Sequence, residues 1–473
     1  MKKSLSDIDF IYFLGIGGIG MSAIARYFLS KGKAVAGYDK TNTVLTENLQ
    51  KEGAQIHFDD SIELVVQQMK EYPTERMLFV YTPAVPQSSN IYQYLLKEGF
   101  RLFKRSEILG LITNDTYTAA VAGTHGKTTT STMLAHLLIE AGYHCTAFLG
   151  GISGNYGSNF LSEEGGPRFI THDKFYPTVV EADEFDRSFL QLTPDIAAIT
   201  SVDPDHLDIY GNGEELIHSF QDFSSCIKPG GVLISRKGLN YHPAVQKGVE
   251  VMTYSIHEPA DFYANDIRIL NGKYQFTLQS NIENIEDIRV GLPGLHNVEN
   301  ATAAAAMAQK MGLSAESIKK GLQSFKGVKR RFEYIFEAGG KVYIDDYAHH
   351  PRELEACIQS LRQLFPERKI TGIFQPHLFS RTRDFAEGFA ESLGLLDELI
   401  LMEIYPAREL PIPGINSTYL LELVAIENKK LLDATQVIQA LESESLEVLV
   451  TLGAGDIDQL VEPIKHKLQE LWK

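Results

Sequence analysis

The sequence predicts an α/β protein of three successive domains, each built on a parallel sheet. Short apolar runs alternate with amphipathic stretches along the chain, and the pattern restarts three times. Two of these restarts pass from an apolar strand through a glycine-rich turn into a helix, the junction that a doubly wound sheet uses.

The first domain, residues 1–114, opens with a strand at Phe10–Leu14, the turn Gly15-Ile16-Gly17-Gly18-Ile19-Gly20 and a helix from about Met21. A second strand, Ala34–Tyr38, ends at Asp39. A third, Met77–Tyr81, meets Thr82-Pro83-Ala84-Val85-Pro86, whose prolines require a loop. The second domain, 115–331, begins with strand Thr118–Ala122, another glycine-rich turn and a helix from Lys127, with further strands expected at Thr178–Val180 and Ile196–Val202. Apolar and polar residues alternate over Asp261–Val290, which reads as antiparallel sheet, and Gly294-Leu295-His296-Asn297 then opens an alanine-rich helix through Met307. The third domain, 332–473, follows Lys329-Arg330-Arg331-Phe332. It alternates strand Val342–Ile344, helix Glu353–Leu364, strand Ile370–Phe374, helix Phe385–Leu395, strand Leu399–Ile404 and strand Val448–Leu452. The outer domains therefore read as Rossmann-like, and the central one as a phosphate-loop ATPase-like parallel sheet with added antiparallel strands.

Composition narrows the class. At 473 residues, 44% hydrophobic and 22% charged, the chain can build its cores without covalent staples, and Cys145, Cys226 and Cys357 have no paired spacing. That usage fits a reducing cytoplasm. A formal charge of -17 argues against a nucleic-acid partner or an anionic membrane surface, though not against local phosphate binding by backbone N–H groups. Met1-Lys2-Lys3 is followed by Asp7 and Asp9, without an apolar stretch that ends in a cleavage site, and no window reaches the roughly 20 apolar residues of a membrane span.

Two glycine loops carry the chemistry. Gly15, Gly17, and Gly20 fit the G-x-G-x-x-G pattern, with Gly18 between them and Asp39 at the end of the next strand. The tight turn lets backbone approach a pyrophosphate at a helix N-terminus. A dinucleotide and a UDP-sugar both present one, and the pattern does not separate them. Gly123-Thr124-His125-Gly126-Lys127-Thr128-Thr129-Thr130 is a phosphate loop of the G-K-[ST] kind, with Val121 where the usual first glycine would stand. Lys127 is expected at the β- and γ-phosphates and the Thr128 hydroxyl on Mg²⁺. Two more strands end in acid: Glu181-Ala182-Asp183-Glu184, and Asp203-Pro204-Asp205-His206-Leu207-Asp208. In a parallel sheet both ends lie on the carboxyl edge beside the phosphate loop, so Glu181 and His206 are candidate Mg²⁺ ligands, directly or through water.

Together with Gly294–Asn300 and Asp345-Asp346-Tyr347-Ala348-His349-His350-Pro351, these boxes occur in the order of the Mur ligases, which the chain resembles over nearly its whole length. The resemblance implies an ATP-dependent ligase of wall-precursor synthesis, and within the family a member that joins L-alanine to the carboxylate of UDP-N-acetylmuramate. It implies that Gly15, Gly17, Gly18, Gly20 and Asp39 hold the UDP-sugar, with His125, His377 and Arg381 contributing. It places ATP on Gly123–Thr129, His296, Asn300 and Arg330, at the hinge into a third domain that closes over ATP with Asp345 and Tyr347. Mg²⁺ falls to Thr128, Glu181 and His206, and the catalytic set is Lys127, Glu181, His206 and His349. Gln375-Pro376-His377-Leu378-Phe379-Ser380-Arg381-Thr382-Arg383-Asp384 matches a box near the sugar carboxylate and the incoming amino acid, with Leu378 where many relatives carry arginine. Some relatives use a carbamylated lysine after the metal histidine, and here no lysine lies between His206 and Lys228. A monomer or weak homodimer is expected.

Three other readings compete. A ligase that recycles a tripeptide onto the same UDP-sugar shares the phosphate loop and acidic box. A nicotinamide oxidoreductase would use Gly15–Gly20 but leaves Lys127 and Glu181 without a role. A non-catalytic nucleotide switch would bind ATP without turnover.

Overall fold

The computed structural model describes residues 5–114, 116–162, 176–204, 207–270, 273–407, 409–441 and 446–472. The chain forms two compact units. One comprises 1–265, 278–286 and 300–324, and the other 266–277, 287–299 and 325–473.

The first unit holds a five-stranded parallel sheet and the greater part of a ten-stranded, mainly parallel one. Strand Phe10–Leu14 is buried along its whole length because every one of its five side chains is apolar, and it occupies the centre of a five-stranded sheet. Ala34–Tyr38 and then Gln55–His57 lie on one side of it, Met77–Tyr81 and then Leu102–Lys104 on the other, all parallel. Helices cover both faces. Helix Ile19–Ser30 packs its Ala23, Ile24 and Phe28 into a core that continues into Ala120, Val180 and Ile199 of the next sheet.

In the next sheet Tyr117–Ala122 lies between Ile196–Ile199 and Pro177–Ala182, parallel to both. Val232–Arg236 and Glu250–Ser255 extend the parallel run beyond Ile196–Ile199. Past Pro177–Ala182 come Thr146–Phe148 and, antiparallel to it, Phe160–Ser162. Phe262–Leu270, Lys273–Ser280 and Ile285–Val290 complete the sheet, and Phe262–Leu270 joins Glu250–Ser255 in a short parallel register. The strand expected over Ile196–Val202 stops at Ile199, and 200–204 are loop.

The second unit carries a six-stranded sheet in the order Glu333–Ala338, Lys341–Asp346, Val448–Leu452, Ile370–Phe374, Glu398–Leu401, Lys429–Leu431. Only the hairpin Glu333–Ala338/Lys341–Asp346 is antiparallel. The sheet is packed on both faces, by Leu354, Ile358 and Phe389 on one and by Ile464, Leu468 and Trp472 on the other. No described helix is long and apolar enough to cross a membrane.

Candidate active site

Both glycine loops of the first unit leave the carboxyl ends of central strands, where strands depart to either side and open a crevice. The second loop is shaped by glycine at two points. Gly123 has φ +138 and Gly126 φ +80, and a Cβ on Gly126 would stand 2.5 Å from Asn300 Oδ1. Gly126 ends the loop as the N-cap of helix Lys127–Glu140. The loop that follows the neighbouring strand supports the turn: Ser201 Oγ accepts from His125 N–H at 2.7 Å and lies 2.9 Å from Thr124 Oγ1, and Thr200 Oγ1 bonds the carbonyls of Ala122 and His125. Asn300, on helix Leu295–Lys310, accepts from Thr130 Oγ1 at 3.3 Å, so it borders the phosphate loop.

Lys127 does not extend into open space. Its ammonium donates to Gly123 O at 2.6 Å and to Glu184 Oε1 at 2.9 Å, and lies 2.7 Å from Glu184 Oε2. Glu184 is fully buried. Burial opposes charge on Lys127, but Glu184 first, then Glu181 and Asp183, outweigh it and raise the ammonium's pKa. Thr128 and Thr129 are buried in the first turn of the same helix.

Strand Pro177–Ala182 delivers the acidic box. Glu181 Oε2 accepts from Gly150 N–H at 3.1 Å, and Gly150 lies so near that a Cβ there would overlap the carboxylate. Asp183 Oδ2 pairs with the Arg105 guanidinium at 3.0 Å. After the box the backbone turns through left-handed Asp186 and Arg187. Asp205 and His206 lie outside the described residues, so the metal role of His206 has no geometry here. Among the described residues no group of three or more His, Cys, Asp or Glu is placed to hold a metal. Thr128 and Glu181 are hard oxygen donors, the kind Mg²⁺ takes one or two of while its other positions go to phosphate oxygens and water.

In the first loop Gly15 has φ +84 and packs on Thr82, at 2.5 Å from a would-be Cβ. Its N–H and that of Ile16 donate to Tyr38 O, at 2.8 and 3.1 Å. Asp39 clasps the turn: Oδ2 accepts from Gly17 N–H at 2.8 Å and Oδ1 from Thr41 N–H at 3.1 Å. With Gly18 N–H turned back to Gly15 O, the donors left for an anion are those of the first helical turn, from Ile19 and Gly20. Gly20 is small for a further reason, because the Arg105 side chain occupies the space a Cβ would need.

In the second unit, Arg330 Nε binds Asp345 Oδ2 at 3.0 Å, and Thr451 Oγ1 donates to Asp345 Oδ1 at 2.6 Å. The Arg330 and Arg331 guanidinium carbons sit 5.3 and 5.1 Å from the Tyr347 ring centre. Arg330 and Phe332 both have left-handed backbone, φ +60 and +51, in the segment the sequence marked as a hinge. His349 Nδ1 lies 3.0 Å from Tyr347 O and 3.2 Å from Glu353 Oε2, and its ring stands edge-on to His377 at 6.1 Å. His377 stacks on Tyr405, and Arg381 is buried in the short helix Phe379–Asp384. Leu378 has φ +70, a strained setting for a branched side chain. His296 is held neutral, its pKa pushed down to about 4 by burial and by Arg331.

Sequence reasoning missed Glu184 as the partner of Lys127, Arg105 as the partner of Asp183, and the Thr200–Ser201 pair under the loop. Glu184 belongs to the acidic box Glu181–Glu184, but nothing local says that the fourth residue turns inward. Arg105 follows a strand with no motif around it.

Three family profiles match the chain in order: "Mur ligase family, catalytic domain" over 10–117, "Mur ligase middle domain" over 121–308, and "Mur ligase, glutamate ligase domain" over 330–457. The chain is 50% identical to the UDP-N-acetylmuramate–L-alanine ligase of Parabacteroides distasonis over 98% of both chains. It is also 50% identical to that of Flavobacterium psychrophilum, over 99% of this chain and 100% of the other. Among solved structures it is similar to the UDP-N-acetylmuramate-alanine ligase of Thermotoga maritima, with TM-score 0.79, 25% identity and coverage of 98% and 99%. The murein peptide ligase of Psychrobacter arcticus shares the fold, with TM-score 0.69, 23% identity and coverage of 97% and 98%.

Proposed function

The chain belongs to the Mur ligase family, and we infer that it joins L-alanine to the carboxylate of UDP-N-acetylmuramate at the expense of ATP, a step of peptidoglycan precursor synthesis. The observation that carries this reading is that both glycine loops meet one acidic box: Lys127 through Glu184, and Gly20 through Arg105 to Asp183. A nicotinamide oxidoreductase has no use for that arrangement. The tripeptide-recycling alternative is not favoured either, since full-length relatives at 50% identity are alanine-adding enzymes and the murein peptide ligase stands at 23%.

Residues 1–114 hold the UDP-sugar at the start of helix Ile19–Ser30. Residues 115–331 hold ATP on Gly123–Thr129, and 332–473 supply Arg381, His377 and His349 for the sugar carboxylate and the amino acid. An oxygen of the muramyl carboxylate attacks the γ-phosphorus, the bond to the ADP oxygen breaks, and an acyl phosphate forms. Lys127 neutralises charge on the transferring phosphoryl group. The neutral alanine amine then attacks the acyl carbon, phosphate leaves, and the amide loses its extra proton. Thr128 and Glu181, with His206, would hold Mg²⁺, which supplies positive charge at the same phosphates. The supply of ATP and a nucleotide-sugar makes the cytoplasm the compartment for this chemistry.

The test is ADP release with UDP-N-acetylmuramate and a panel of amino acids. L-Alanine should support turnover well above glycine, L-serine and D-alanine. Equal rates across the panel, or none with any, would reject the assignment.

A further inference from the structure

Arg105 opens helix Arg105–Thr113, directly after the edge strand Leu102–Lys104 of the first sheet. It has no part in the glycine pattern, yet its side chain fills the space beside Gly20 and reaches Asp183 Oδ2 at 3.0 Å. One cation therefore touches the last glycine of the first loop and the acidic box beside the second. Asp183 occupies only part of it, because a guanidinium offers five donors in a flat fork and this contact uses one edge. About a quarter of the side chain remains exposed.

A cavity of about 80 Å³ opens at this point, lined by Ile19, Gly20, Arg105, Gly150, Glu181 and Asp183 among others. That volume holds several waters or one carboxylate-sized group. Among the described residues its polar wall has two carboxylates and a single cation. An anion entering it is repelled by Glu181 and Asp183 unless the guanidinium faces it. The fork of Arg matches a carboxylate in two parallel hydrogen bonds, which a point charge does not.

The substrate of the proposed reaction carries two kinds of anion. The first loop takes its pyrophosphate, and the lactyl carboxylate has to travel from there to the phosphoryl group over Lys127. Arg105 touches both ends of that route, the first loop at Gly20 and the acidic box at Asp183. We propose that Arg105 reads the lactyl carboxylate of the UDP-sugar and positions it for phosphoryl transfer, exchanging or sharing its contact with Asp183 when the sugar binds. This rests on the ligase reading above.

Binding by calorimetry without ATP tests it, with UDP-N-acetylmuramate and UDP-N-acetylglucosamine as probes. The second sugar lacks the lactyl group and keeps the pyrophosphate. Arg105→Met should weaken the first sugar roughly ten- to hundredfold, the worth of a charge-assisted hydrogen bond, and leave the second within about threefold. Asp183→Asn frees the guanidinium and should keep the preference for the lactyl sugar. Equal weakening of both sugars by Arg105→Met would make Arg105 a pyrophosphate contact and overturn the proposal. So would loss of the preference in Asp183→Asn, which would make the pair a clamp within the first unit. If Arg105→Met does not fold, Arg105→Lys decides, since it keeps the charge and loses the fork: a preference reduced severalfold supports the proposal and an unchanged one overturns it. A wild-type protein that fails to prefer the lactyl sugar and releases no ADP with L-alanine would defeat the ligase reading itself.

Discussion

Lys127 meets a buried carboxylate before it meets any phosphate, and that changes what its substitution does. The sequence places it in a loop, where truncation costs activity alone. Turnover of Lys127→Ala should fall by a factor on the order of 10²–10⁴, as for other lost electrostatic stabilisers. The structure adds a folding cost, because Glu184 would remain buried without its ammonium, and removing one member of a buried pair costs about 3–5 kcal/mol. Lys127→Ala with Glu184→Gln should therefore melt higher than Lys127→Ala alone. In Glu184→Gln a non-hydrolysable ATP analogue, which gives the ammonium new partners, should raise the melting temperature more than in wild type. Equal ligand shifts would mean that the pair does not hold in solution. Asp346 is a second buried carboxylate, accepting from Phe332 N–H at 2.6 Å and Ala348 N–H at 2.7 Å. Burial pushes its pKa up to about 6, against the pull of Arg331 and both N–H donors. With the folded value above the unfolded one, the folded state takes up a proton first. This group's contribution to stability thus grows as pH falls through 6 and is complete below the ordinary carboxylate range near 4. The stability gap between wild type and Asp346→Asn should widen by about 1–1.5 kcal/mol from pH 8 to pH 5 in denaturant melts. A gap that stays constant or narrows toward acid would show a folded-state carboxylate that remains ionised down to pH 5.

The segment between strands Thr146–Phe148 and Phe160–Ser162 ties several elements together. Gly150 N–H holds Glu181, and Asn159 binds Arg26, Ser22 and the Ile19 carbonyl on the helix that follows the first loop. Tyr156 hydroxyl meets His136 Nδ1 on the phosphate-loop helix at 2.8 Å, while Asn155 Nδ2 donates to Ser324 O at 2.9 Å. Gly150 has an ordinary backbone, so Gly150→Ala tests the contact with Glu181 and not the turn. The added methyl should displace the carboxylate and raise the Mg²⁺ concentration for half-maximal activity severalfold, with little change in the affinity for UDP-sugar. An unmoved Mg²⁺ titration would take Glu181 out of the metal shell. None of this segment was legible in sequence, because short polar loops carry no period. By contrast, Phe10–Leu14, Ala34–Tyr38, Met77–Tyr81, Ile370–Phe374 and Val448–Leu452 appear with the bounds that their apolar runs predict. Strands buried on both faces are continuous apolar runs with sharp ends. Gln55–His57 and Lys429–Leu431, edge strands of three residues with exposed or half-buried side chains, give no such signal.

At the scale of the molecule, a chain of formal charge -17 is asked to gather two polyanions, ATP and a UDP-sugar. Net charge works against it, so the affinity has to be local, in helix N-termini after two glycine loops and in single cations such as Lys127 and Arg105. The alternation of strands and helices announced three sheets. It did not announce the division into two units, whose boundary cuts through strand Phe262–Leu270 and helix Leu295–Lys310, because local periodicity says which face is buried and not which core covers it. Both glycine loops fall in one unit and converge on the Glu181–Glu184 box, and this convergence bears on the choice between two chemistries. A carboxylate can be activated by phosphoryl transfer, with release of ADP, or by adenylyl transfer, with release of AMP. Adenylyl transfer needs charge stabilised at the α-phosphate. A G-K-[ST] loop instead sets its lysine at the β- and γ-phosphates, and here Glu184 keeps that lysine charged in the loop. Attack at the γ-phosphorus leaves one carboxylate oxygen in the phosphate that departs when alanine adds. With ¹⁸O in the lactyl carboxylate, the label should therefore appear in inorganic phosphate, one atom per amide formed, and the nucleotide product should be ADP. Label recovered in AMP would mean adenylyl transfer, and amide formed with no label transferred would mean that the carboxylate is not the attacking group.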